Sequence, residues 1–377
     1  MELLIQIMLF LLMAKIGGEL AERAKLPSVL GELLAGLVVG PSLLHLISPD
    51  PVMKDIAEIG IILLMFLAGL ETNLDEMKRT GLVSLLAAMG GVGVPFCLAF
   101  VVGYSYGWNT ADSLFLGAIL TATSVGITVR TLMDIGKLNT NVGMTILGAA
   151  VIDDVIGIIV FTIVRGVALD QEFSILGVLE LTVIMALFFI ISIKAGFWVS
   201  DRLDSWVGRM RTQEVALVVA IIFVLFMAAI AERAQVAGIT GAFIAGIVMS
   251  RSSRKESVES KINALGYGFF VPLFFVNIGV NTDLHEITML GMAVLVVTVA
   301  IGGKILGSGI MALVGGLSLR EALQVGIGMV PRLEVALIIA SMGLTAGVIS
   351  SLVYSLTVAM VLVTTFITPP LIKLVFK

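Results

Sequence analysis

Residues 148–164 read GAAVIDDVIGIIVFTIV, a run of apolar and small residues interrupted only by two adjacent acids, Asp153 and Asp154. With the apolar residues ahead of it, the run extends from Val142 to Val164, long enough for a helix to cross a bilayer. The acids fall about 11 residues in, or about 17 Å along a helix, close to mid-membrane. An ionised carboxylate at that depth costs at least about 2.5 kcal/mol on insertion scales, and two side by side also repel. Such a pair calls for a watery cavity or a cationic partner, and marks a candidate functional site.

The rest of the chain has the same character. Hydrophobic residues make up 59% and charged residues 13%, about half the charge of a globular protein. This is a polytopic membrane protein, and its 40 glycines and 19 methionines suit close helix packing in lipid. The single cysteine, Cys97, has no partner for an internal disulfide. No CxxC or Cys/His cluster points to zinc, a redox centre or another cofactor, and nothing points to an enzyme. A net charge of −4 argues against a nucleic-acid partner.

Thirteen apolar spans are expected, at roughly 3–22, 27–47, 56–72, 80–104, 112–134, 141–164, 175–199, 213–232, 236–250, 262–280, 288–314, 319–345 and 351–374. With the N-terminus outside, 16 of the 23 Lys and Arg residues fall on the cytoplasmic side and three on the other. The positive-inside rule therefore predicts N-out and C-in. The remaining four, Lys15, Lys194, Lys304 and Arg332, lie within spans. Lys15 and Lys194 can snorkel to an interface; Lys304 and Arg332 lie too deep for that to be the simplest reading.

The chain also repeats itself. LPSVLGELLAGLVVG (26–40) aligns with VAGITGAFIAGIVMS (236–250), and FLAGLETNLDEM (66–77) with VNIGVNTDLHEI (276–287), both at an offset of 210. The offset moves the chain by seven spans, an odd number, so the halves are expected to be inverted across the membrane, as in many secondary transporters. Such proteins place their sites at broken helices near the midplane. Span 5 carries Thr121-Ala122-Thr123-Ser124-Val125-Gly126, whose hydroxyls can satisfy an unwound backbone. The same offset lands on Pro331-Arg332-Leu333-Glu334 in span 12, where the proline removes a helical hydrogen bond. The sequence therefore predicts two discontinuous helices at matching places, with Arg332 and Glu334 available to neutralise the exposed helix ends. Lys304, in IGGKILGSG, needs a partner at its depth, and the aspartates are the obvious ones. Neighbouring helix positions point about 100° apart, so one aspartate can face Lys304 while the other faces a cavity.

Taken together, AAVIDDVIG, TATSVG, the glycine-flanked Lys304 and PRLEVALIIA resemble bacterial cation:proton antiporters of the NapA type. The resemblance implies an all-α fold with crossed discontinuous helices. It implies a core ion-translocation domain from 80–170 and 288–377, a dimerisation domain from 1–79 and 206–287, and a linker helix at 171–205. It also implies a homodimer in the cell membrane that exchanges sodium or lithium for protons by an elevator-like movement of the core. Asp154 would be the main ion ligand and Asp153 the partner of Lys304; beside them, the unwound stretch at Thr123 and Ser124 is expected to lend carbonyl or hydroxyl oxygens, the ligands a hard cation prefers. Potassium-exporting relatives typically carry Gln-Asp in place of the pair, so Asp153-Asp154 leans toward sodium. Many relatives have glycine after the arginine, where this chain has Leu333. Potassium/proton exchange and a passive cation channel remain alternatives. An intramembrane aspartyl protease fits poorly, because its two aspartates must share a proton, whereas these point apart.

Overall fold

The computed structural model describes residues 2–72, 74–168, 175–207, 210, 212–282 and 290–377. Every regular element among them is helical. In chain order they are α1 (Glu2–Arg23), α2 (Ser28–Val39), α3 (Pro51–Glu71), α4 (Leu74–Ser105), α5 (Thr110–Thr121), α6 (Val125–Asp134), α7 (Asn141–Ala168) and α8 (Ile175–Val207). There follow α9 (Val215–Arg233), α10 (Gly238–Met249), α11 (Lys255–Leu265), α12 (Val271–Val280), α13 (Leu290–Val314), α14 (Leu319–Gly328), α15 (Glu334–Thr345) and α16 (Ser351–Val375). A π-turn at Gly266–Phe270 joins α11 to α12. Among the described residues nine segments are long and apolar enough to cross a membrane, and shorter apolar helices such as α2 and α10 accompany them. The count of thirteen spans remains a topology proposal.

Short polar signals start the helices. Asp50 accepts hydrogen bonds from the backbone N–H groups of Val52 and Met53 ahead of α3, with Pro51 at its first position. Ser318 and Glu321 form a reciprocal capping box at α14. Ser350 caps α16, and its own N–H donates to Asp112 Oδ1 near the start of α5.

The helices group into two compact units. The first comprises Met1–Leu74 and Glu180–Asn281, the second Asp75–Leu179 and Thr282–Lys377. The boundaries expected at 79/80 and 287/288 differ from these by a few residues, and residues 283–289 lie outside the described set. Of the span expected as a linker, 171–205, residues 171–174 lie outside the described set; from Ile175 on it is part of one helix, α8, which belongs to the first unit from Glu180 onward.

Close backbone approaches hold the first unit together, and they recur at the offset seen in the sequence. A Cβ on Gly36 would run into the carbonyl of Val276 and the Cα of Gly279; one on Gly246 would run into the carbonyl of Phe66 and the Cα of Gly69. Likewise a Cβ on Gly31 would meet Gly17 O and Ala21 Cβ, and one on Gly241 would meet Met227 O and Ala231 Cβ. Each residue of one contact is 210 positions from its counterpart in the other. Lys25 and Gln235, also 210 apart, share the left-handed backbone after α1 and α9, at φ 60° and 59°. Without a hydrophobic drive between helices in lipid, contacts of this closeness supply much of the association.

These contacts generate a paired prediction. Gly36→Ala should lower the melting temperature of the detergent-solubilised protein, through an overpacking cost of about 1–3 kcal/mol. Gly93→Ala, where a Cβ would meet nothing within 4 Å, should not lower it. Equal melting of the two variants would mean that the α2–α12 approach relaxes without cost.

Candidate ion site

The second unit holds the deep charges. α7 lies beside α4, where Ser84 Oγ donates to Thr145 O at 3.1 Å and a Cβ on Gly148 would press on Ser84. α13 crosses α4 at Gly90 and Gly307, each standing where the other's Cβ would be. This crossing carries Lys304 past Gly91 to α7. Its ammonium donates to Asp153 Oδ1 at 2.9 Å, with the two side chains 0% and 1% exposed. Asp153 Oδ2 is buried and makes no hydrogen bond, which leaves part of this carboxylate open to another partner. Ser308, one turn after Lys304, is also buried without a hydrogen-bond partner for its hydroxyl. A Cβ on Gly91 would collide with that hydroxyl and stand 3.4 Å from Lys304 Nζ, so only glycine leaves room for both.

Spans 5 and 12 are both interrupted. α5 stops at Thr121 and α6 begins at Val125; α14 stops at Gly328 and α15 begins at Glu334. The stretches between them meet, with Ser124 N–H donating to Pro331 O at 2.7 Å, and α6 reaches the end of α14, with Thr128 Oγ1 donating to Gly328 O at 2.7 Å. Arg332 is wholly buried at this meeting point. Its guanidinium donates to Leu120 O at 2.9 and 3.3 Å, to Val330 O at 2.6 Å and to Ala300 O at 3.0 Å. Leu120 is in the last turn of α5, and Val330 lies just beyond the end of α14. One cation thus meets the carbonyl ends of both half-helices, where the helix dipole leaves partial negative charge. Thr365 Oγ1, from α16, donates to the carbonyl of Arg332 at 3.0 Å and anchors the arginine's own backbone. Leu333 is buried with φ −151°, so this position does not demand the left-handed backbone that favours glycine. Glu334 begins α15, and its side chain lies outside the described residues.

A cavity of about 130 Å³ opens beside the two acids. Asp153 and Asp154 line it from α7, Thr121 and Ala122 from the end of α5, and Val335 from the start of α15. Adjacent positions on α7 thus serve two directions, with Asp153 turned to Lys304 and Asp154, half-buried, set on the cavity. Thr123 and Ser124, singled out from the sequence, are buried in the break but are not part of the cavity wall. Thr123 Oγ1 has no hydrogen-bond partner, and Ser124 makes no side-chain cap to α6. Thr121 and Gly157 are wall residues that the sequence reading misses. Among the described residues, His, Cys, Asp and Glu nowhere gather in a group of three or more that could hold a resident metal ion.

Deep charges paired inside a bundle, two broken helices meeting at a buried arginine and a cavity at the acids define a polytopic ion-handling membrane protein. Comparison with known proteins narrows the class. Residues 8–377 match the family of transmembrane sodium/hydrogen exchangers. The chain is 39% identical over 376 residues to the "Probable Na(+)/H(+) antiporter GerT" of Bacillus cereus, covering 98% of each chain. It is 38% identical over 376 residues to the "Na(+)/H(+)-K(+) antiporter GerN" of Bacillus cereus, covering 100% of this chain and 96% of the relative. Its fold is similar to that of the sodium proton antiporter MjNhaP1 from Methanocaldococcus jannaschii, with a TM-score of 0.73, 16% identity, and coverage of 100% of this chain and 99% of that one. The chain belongs to the sodium/hydrogen exchanger family.

Arg332 supplies the prediction here. Arg332→Ala strips donors from three buried carbonyls and should cost at least about 3 kcal/mol, enough to prevent recovery of folded protein. Arg332→Lys should fold but melt below wild type, because a single ammonium cannot reproduce the fork of donors. Size-exclusion profiles with heating check both, and wild-type melting of Arg332→Ala would contradict the helix-end role.

Proposed function

We propose that the protein is a secondary active transporter that exchanges sodium, or lithium, for protons across the cell membrane. The observation that carries this reading is the buried Lys304–Asp153 pair beside a cavity that Asp154 shares. A hard cation prefers oxygen ligands; the cavity wall offers the two carboxylates and Thr121, while Thr123, expected from the sequence as a ligand, is buried in the break outside that wall. Sodium arriving at Asp154 draws Asp153 toward itself. Lys304 loses its partner and releases its proton, so cation and proton compete for one set of charges. Asp154 carries a second proton when no cation is bound.

All of these residues lie in the second unit, which suits movement of that unit as the translocating core in an elevator-like cycle. The first unit then serves as scaffold and dimer contact. Its α1 keeps Leu4, Met8, Leu12, Ile16 and Leu20 exposed one turn apart, an apolar stripe fit for lipid or a second copy. The recurring offset supports two inverted halves, with the N-terminus outside and the C-terminus cytoplasmic. GerN is named for potassium as well as sodium, which makes potassium/proton exchange the second reading. A passive channel fits less well, since pores usually present rings of like groups from several subunits.

Two experiments test this. In proteoliposomes, an imposed pH gradient should drive sodium uphill with wild type and not with Asp154→Asn, which keeps shape but loses the ligand. Uphill sodium movement near the wild-type rate in Asp154→Asn would remove that residue from the ion path. In Lys304→Gln, sodium-jump currents on solid-supported membranes should lose their net charge per ion, because one proton carrier is gone. Undiminished charge per ion would leave Lys304 with only a structural part.

A further inference from the structure

Gly157 follows the two acids by one helical turn and lines the cavity with them. A Cβ placed there would meet a single atom within 4 Å, Thr121 Oγ1 at 3.9 Å. The space is therefore open, and the contact at its edge is an ordinary one. Elsewhere the wall is bulky, with Ile158 and Phe161 from α7 and Ile338 and Ile339 from α15. Phe161 packs edge-on against Phe115, with ring centroids 6.1 Å apart, which limits its freedom to retreat. Thr121 is also fixed, since its hydroxyl donates to Ala118 O at 2.7 Å and keeps its lone pairs for other partners. The width of the cavity one turn beyond the carboxylates thus depends on the missing side chain at Gly157. At about 130 Å³ the cavity has room for several water molecules beyond what a bare sodium ion needs.

We propose that Gly157 sets the upper size limit of the transported cation, by leaving space for a wide first shell of oxygens at the Asp153–Asp154 pair. This deepens the antiporter reading and rests on it. The first shell widens with ionic radius from lithium to sodium to potassium, whether protein or water supplies the oxygens. A methyl group at position 157 would enter that shell, and its penalty would grow in the same order.

The test is Gly157→Ala, which should fold, since alanine is preferred to glycine within a helix by up to about 1 kcal/mol and meets no clash here. Apparent KM for lithium, sodium and potassium would be compared in proteoliposomes at one pH, with melting temperature as the folding control. The expected result is a change graded by size, smallest for lithium and largest for potassium. The spread between the extremes should be about tenfold or more, the scale on which pockets discriminate a methylene. If wild type exchanges no potassium, the lithium-to-sodium ratio is the readout and should shift toward lithium. A uniform change across the cations, or none, in a folded variant overturns the size-limit proposal while leaving the antiporter reading intact. A wild type that exchanges none of the three cations overturns the antiporter reading, and this proposal with it.

Discussion

A lysine and an aspartate hold each other at 2.9 Å with neither exposed, in the middle of an apolar bundle. Each charge alone would be intolerable there, and removing one partner of such a pair typically costs about 3–5 kcal/mol. The surrounding packing serves to bring them together. Gly90 and Gly307 let α4 and α13 touch backbone to backbone, and Gly91 clears the space beside the lysine's ammonium. Such a pair is weak evidence for stability, since well-packed apolar residues of like volume often do as well. In the exchange proposed above, this contact is the one that opens. The adjacent Asp154 and the unbonded Oδ2 of Asp153 are where a competing cation would act.

The second constraint is the backbone. Two helices break at one level of the second unit, and each break leaves carbonyls that lipid cannot satisfy. Arg332 answers the carbonyl ends, Ser124 and Thr128 bond across to the other break, and Thr365 ties in the arginine's own carbonyl. The arginine is thereby taken up by backbone carbonyls, whereas Lys304 is paired with a carboxylate that borders the cavity.

Much of this could be read from the chain. Asp153 and Asp154 announce themselves as adjacent acids in an apolar run, and the breaks show as a hydroxyl cluster and a proline. The offset of 210 foretells contacts that are not needed to find it, such as Gly31 on Gly17 and Gly241 on Met227. Other features are not legible, for a physical reason. A glycine in an apolar helix looks the same whether it packs against a backbone, as Gly90 does, or borders a cavity, as Gly157 does. Arg332 is expected from the sequence to neutralise helix ends, but its acceptors at Leu120 and Ala300 are 212 and 32 residues away and depend on the fold. Thr121 and Thr123 are two residues apart, and the end of α5 falls between them, with the first on the cavity wall and the second off it.

The most direct measurement is the number of protons released when sodium binds to the purified protein. Titration calorimetry in buffers of different ionisation enthalpy reads it without transport, liposomes or mutants. If sodium competes with Lys304 and with protons for the aspartates, binding releases protons, and the observed heat changes with the buffer. Sodium binding with the same heat in every buffer would contradict the competition, and with it the idea that the buried pair exists to be opened.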